Sequence, residues 1–271
     1  MPFFAYQPRR PVPWRIIDVL LALSLYFIMP ICVVVMARDW LAMAPASAVR
    51  VDENAKPDAV HPLARVLLES PSAWAIVACV LTAVVVAPII EEFLFRLILQ
   101  GWLEAVERRL RRQIPRLRSL AAGVLPVASA SLLFAAMHFR LPSPRLDVDA
   151  QVFLLCVLAT ANLLTASSVL CWVRFAAGAT LGDLGIVPGR LWADIQLGML
   201  AFLAITVPVY VLLFMVRSLL PENTAADPIP LFLLAAVLGG LYYRTHRIVP
   251  AIVLHMAFNA TGVSLALWTL W

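Results

Sequence analysis

Long apolar runs separated by short polar breaks dominate the chain, and the runs are too long for strands. They cover roughly residues 16–37, 72–103, 119–138, 150–173, 194–216, 229–243 and 248–270. A helix needs about 20 apolar residues to cross a hydrocarbon core. The pattern therefore predicts an all-α, polytopic transmembrane helical bundle of about seven spans, with six to eight as the range. No repeat and no second domain are visible, so residues 1–271 read as a single integral membrane domain. The first run is too long for a secretory signal core, which predicts a retained span.

Composition agrees with this pattern. The chain is 63% hydrophobic and 14% charged, whereas soluble domains carry about 25% charged residues. Its net charge of +5 comes almost wholly from arginine, with Lys56 the only lysine. The arginines cluster at the ends of apolar runs, which points to membrane topology and contact with anionic lipid. No stacking platform or recognition helix points to nucleic acid. The four cysteines, Cys32, Cys79, Cys156 and Cys171, lie apart within apolar runs and read as buried free thiols. All eight tryptophans fall at the ends of the proposed spans, where the indole meets the membrane–water interface. The arginine-rich stretch ERRLRRQIPRLR, residues 107–118, is the strongest basic block. It favours an N-terminus in the cytoplasm, and the expected location is the plasma (inner) membrane of a bacterium.

Against this apolar background, Glu91 and Glu92 in APIIEEFLFR stand out. Trp74 and Trp102 bracket their run, which puts both carboxylates about 5 Å from the middle of the helix. A charge at that depth costs at least ~2.5–3.5 kcal/mol. Arg96 follows Glu92 by four residues, the favoured order for a helical ion pair, and can neutralise it. Glu91 points about 100° away and lacks a local cation, so it should face a polar cavity. The competing reading is that both glutamates merely join helices. Few other polar residues occur within the runs. His138 ends the third run, four residues after Phe134, and His255 and Asn259 share a face of the last.

A carboxylate and an imidazole can hold a water and take its proton, while a second imidazole and an amide can donate to a developing oxyanion. Glu91, His138 and His255 also resemble a zinc set with an open position, and the sequence does not separate these two readings. Serine chemistry is less attractive. Ser129, Ser131 and Ser167 lie in spans, but no GxSxG occurs. His61 and His246 fall in breaks, and His246 is expected at solvent or lipid headgroups.

The motifs EExxxR, FxxxH and HxxxN, in that order on apolar runs, resemble those of the CPBP family of intramembrane proteases. Its members include CAAX prenyl-protein endopeptidases and bacteriocin-processing or immunity proteins. The resemblance covers residues 72–140 and 229–265 and implies that Glu91 and His138 activate water. It implies further that His255 and Asn259 stabilise the oxyanion, with Glu92, Arg96 and Phe134 supporting. No metal is favoured, although zinc on Glu91, His138 and His255 is the competing view. The implied substrate is a membrane-anchored or hydrophobic peptide, with membrane lipid as the other partner. A non-catalytic protein of the same fold, serving immunity, scaffolding or transport, is the alternative. Residues 150–228 depart from the family pattern as an insertion without an assigned role. The end-of-run position of His138 requires a third span that is short, tilted or shifted.

Overall fold

The computed structural model describes residues 12–43, 73–138, 148–219 and 228–268. Among these residues there are seven helices and no strand. They are α1 (Ile16–Met43), α2 (residues 73–113), α3 (Val124–Met137), α4 (Val148–Phe175), α5 (Leu191–Leu219), α6 (Pro228–Thr245) and α7 (Val249–Trp268). Five helical segments are long and apolar enough to cross a membrane: Ile16–Met36, Ile76–Gln113, Gln151–Phe175, Pro188–Leu219 and Pro228–Thr245. Pro30 within α1 and Pro208 within α5 are tolerated, because a spanning helix can re-satisfy the freed carbonyl locally.

Helix α2 is continuous but not uniform. Two stretches, Leu81–Val86 and Glu92–Gln100, are wound as π-helix, in which each N–H reaches the carbonyl five residues back. Its end is set by Ile114, which is extended at φ −117° and ψ 97°, as the residue before a proline prefers. After one 3₁₀ turn at Pro115–Ser119, Gly123 leads into α3 with φ +85°.

Helix α2 packs against α1, α3, α4, α6 and α7, so it forms the axis of the bundle. Around it, α1 packs on α4, α3 on α6, and α5 on α6 and α7. The 150–228 stretch therefore supplies two helices of the bundle. On the outer face of α5, Leu200, Leu203, Val207, Val211 and Phe214 are exposed. Their spacing of three and four residues makes one apolar stripe, as expected of a surface in lipid.

At only 14 residues, α3 is about 21 Å long and cannot cross a membrane alone. The third run was expected to continue to residue 138 as a span. The helix does end there, at Met137 with His138 as its C-cap, but it starts only at Val124, so the span is short, one of the ways the sequence allowed for His138 to reach the other groups. Trp74, Trp172, Trp192 and Trp268 are exposed, in keeping with an interfacial role. Trp14 is not. It is buried, and its Nε1–H donates to the Ile98 carbonyl at 3.0 Å, anchoring the segment before α1 onto α2.

One end of the bundle gathers the tail of α2, the 176–190 connection and the α6–α7 turn. There the Ile248 N–H donates to the Gly185 carbonyl at 3.2 Å. His246, expected at solvent or headgroups, is instead buried, with Nε2 3.0 Å from Glu104 Oε2. The turn that carries it folds back under α2, and Arg247 beside it pairs with buried Asp194 of α5. His61 and the 44–72 segment lie outside the described residues.

Gly123 is the tight point at this end. A Cβ there would lie 2.4 Å from the Tyr243 ring, and the positive φ disfavours any side chain. The Gly123 N–H also donates to Glu107 Oε2 at 2.9 Å. Gly123→Ala is expected to lower the thermal unfolding midpoint in detergent by several degrees, whereas Gly189→Ala, at an open position, should leave it unchanged.

Candidate active site

Helix α2 presents Glu91 and Glu92 at the junction between its regular turns and the second π-helical stretch. The first π-helical stretch prepares that junction. The Ala87 N–H donates to the Thr82 carbonyl, so it is not available to Ala83 in the usual helical pattern. The next residue along, Pro88, has no N–H to give. The Ala83 carbonyl thus loses both helical partners, and Asn259 of α7 replaces them, with Nδ2 donating at 2.8 Å. Asn259 is thereby fixed against α2 one turn from His255, with one amide hydrogen committed and the other free to act elsewhere.

His255 stands between the two carboxylates. Its Nδ1 lies 3.0 Å from Glu92 Oε1, and its Nε2 lies 3.8 Å from Glu91 Oε2. The other Glu92 oxygen, Oε2, is 3.2 Å from Arg96 Nε, and both residues are fully buried. Glu92 is therefore shared by one guanidinium and one imidazole. An ionised carboxylate only accepts, so Nδ1 of His255 carries the proton and the ring is held in one orientation.

His138 reaches the same centre from the end of α3. Its Nδ1 donates to the Phe134 carbonyl at 2.8 Å, which leaves Nε2 to face Glu91 Oε2 at 3.9 Å. Phe134 is the buried wall between these groups. Its ring lies 4.5 Å from His138 and 5.9 Å from His255, with the Arg96 guanidinium 5.1 Å from its centroid. Glu91 is the most open of the acids, with 15% of its side chain exposed against none for Glu92.

One Glu91 oxygen thus faces two imidazole Nε2 atoms at 3.8 and 3.9 Å, too far for direct hydrogen bonds. A water at ~2.8 Å from both members of such a pair would meet them at about a right angle. A zinc ion at ~2.0–2.2 Å from both would have to open that angle far beyond tetrahedral. As placed, the three donors do not close around zinc, and among the described residues no group of three or more His, Cys, Asp or Glu is arranged for a metal.

Six of the seven residues expected from the motifs are linked by the contacts above, and Asn259 lies one turn from His255 on α7, bonded to Ala83 of α2. Comparison with protein families matches residues 73–261 to the type II CAAX prenyl endopeptidase Rce1-like family. The chain belongs to this family. The matched range contains every residue of the site, and also the 150–228 stretch. No curated protein and no solved structure matches the chain. As a member of the Rce1-like family, it is an all-helical integral membrane protein of a CAAX-type protease lineage. Two features of this Rce1-like site were not foreseen from sequence: the bond from Glu92 to His255, and the anchoring of Asn259 on Ala83. The adjacency of Glu92 to Glu91 and the proline at position 88, five residues after Ala83, were the signals that could have pointed to them.

Proposed function

We propose that this protein is an intramembrane endopeptidase that hydrolyses a peptide bond in a membrane-anchored or hydrophobic substrate, without a metal. The observation that carries this reading is that Glu91 Oε2 lies 3.9 Å from His138 Nε2 and 3.8 Å from His255 Nε2, a spacing that a bridging water fits and a direct hydrogen bond does not. A water bridging Glu91 and His138 gives one proton to Glu91 while His138 Nε2 accepts its second hydrogen bond. The water oxygen attacks the scissile carbonyl, and negative charge collects on the carbonyl oxygen. The proton held by Glu91 passes to the amide nitrogen, the C–N bond breaks, and a carboxylic acid and an amine leave.

Base catalysis of this kind contributes roughly 10²–10⁴-fold. Oxyanion stabilisation by a donor adds about 10²–10³-fold, and His255 with Asn259 is the donor pair we assign. Donation from His255 Nε2 requires a proton on both ring nitrogens, since Nδ1–H is engaged by Glu92. The basic end of the bundle, with exposed Arg109, Arg112, Arg116 and Arg118, supports a cytoplasmic placement of that end and of the N-terminus.

The test is cleavage of a library of membrane-anchored peptides by the purified protein in liposomes. Wild type should cleave a subset, His138→Ala should be at least about 100-fold slower, and a zinc chelator should not change the rate. Equal cleavage by wild type and His138→Ala would remove the enzyme reading. Loss with chelator, restored by zinc, would replace the metal-free mechanism with a metal-dependent one.

A further inference from the structure

Helix α2 carries five polar residues at intervals of four: Glu92, Arg96, Gln100, Glu104 and Arg108. In a regular α-helix each step of four overshoots a full turn by about 40°, and such a row would wind around the helix. The π-helical stretch Glu92–Gln100, with about 4.4 residues per turn, undershoots instead and cancels the drift. The row stays on one side. Its first four members are 0, 0, 0 and 1% exposed, while Arg108 reaches the basic end of the bundle with 35% of its side chain exposed. Both carboxylates in the row hold a histidine at 3.0 Å, Glu92 through His255 and Glu104 through His246.

The middle of this row is not saturated. Arg96 Nη1 and Nη2, Gln100 Oε1 and the Ser131 hydroxyl have no hydrogen-bond partner among the described residues, although all three side chains are fully buried. Each such group is costly if left dry. They lie together. Val127, Ser131 and Phe134 share one face of α3 by their spacing. Phe134 sits at Arg96. Val127 and the Gln100 carbonyl oxygen both lie near Gly239, 3.1 and 2.9 Å from where a Cβ on that residue would be. Ser131, between Val127 and Phe134, is therefore level with the interval between Gln100 and Arg96. The guanidinium donates, the Gln100 oxygen accepts and the hydroxyl does both. A buried water needs two to four such partners.

We propose that the seam between α2 and α3 holds internal water on Arg96, Ser131 and Gln100, and that the polar row delivers water from the basic end toward Glu91. The water site itself does not depend on the proposed function; only its use as a supply for hydrolysis does.

The test replaces the four native cysteines and introduces Ser131→Cys or, as control, Ala130→Cys in liposome-embedded protein. Ala130 is equally buried but sits in the apolar core. Iodoacetamide alkylates a thiolate, which forms only where water reaches the sulfur. Ser131→Cys should be alkylated at least tenfold faster than Ala130→Cys, and equal rates would overturn the water site. In the cysteine-containing protein, Ser131→Val and Gln100→Leu should lower kcat several-fold at unchanged KM, with Ser131→Thr restoring it. An unchanged kcat in Ser131→Val would overturn the supply route. Because alkylation needs no turnover, an inactive protein that still labels at position 131 would count against the protease reading and not against the water site.

Discussion

Glu91→Gln is expected to reduce kcat by roughly 10²–10⁴-fold while leaving thermal stability unchanged or slightly higher. The amide keeps the size of the side chain but cannot take a proton from water. Glu91 makes no direct hydrogen bond to His138 or His255, at 3.9 and 3.8 Å, so little native structure depends on its charge. Removing a carboxylate from low-dielectric surroundings relieves a desolvation cost. A stability gain paired with a rate loss is the signature of a site strained for chemistry. Steady-state cleavage and thermal unfolding of the same preparation would measure both. A Glu91→Gln protein that cleaves within a few fold of wild type would refute the assignment of the base.

The opposite balance is expected at Arg96. Arg96→Met leaves Glu92 fully buried without its cation, and breaking a buried pair by removing one partner costs about 3–5 kcal/mol. His255 would then be the remaining ionisable group on Glu92, and the ring would be drawn off its present line to Glu91. Arg96→Met should therefore lose both stability and activity. The double variant Arg96→Met with Glu92→Gln removes both charges and should recover much of the stability but not the activity, because the His255 anchor is weakened. Unfolding free energies of the two single variants and the double variant give the coupling. Additive effects would show that the pair is not the unit described.

Much of this arrangement was legible before any coordinates. Glu91, Glu92, Arg96, His138, His255 and Asn259 are conspicuous because apolar spans tolerate so few polar residues, and helical spacing alone pairs Glu92 with Arg96 at i, i+4. What spacing does not carry is contact between helices. Glu92 reaches His255 across 163 positions, and nothing local marks it as more than a partner for Arg96. Local propensity likewise misses π-helical turns, since they depend on an N–H choosing between two carbonyls. His246 failed for a related reason. Flanked by Arg244 and Arg247, it looks like a headgroup residue, yet the short α6–α7 turn carries it beneath α2 onto Glu104. The length of α3 was the reverse case, because chemistry at His138 called for a span that was short, tilted or shifted, and the helix is short at its start.

That short helix also acts on its surroundings. Leu132, Leu133, Val124 and Leu125 face outward from α3, yet the helix spans about 21 Å of a hydrocarbon layer about 30 Å thick. Acyl chains beside its apolar face are expected to compress to match. Hydrophobic mismatch of this kind costs fractions of a kcal/mol per ångström, so thicker bilayers should oppose the fold locally and thinner ones relax it.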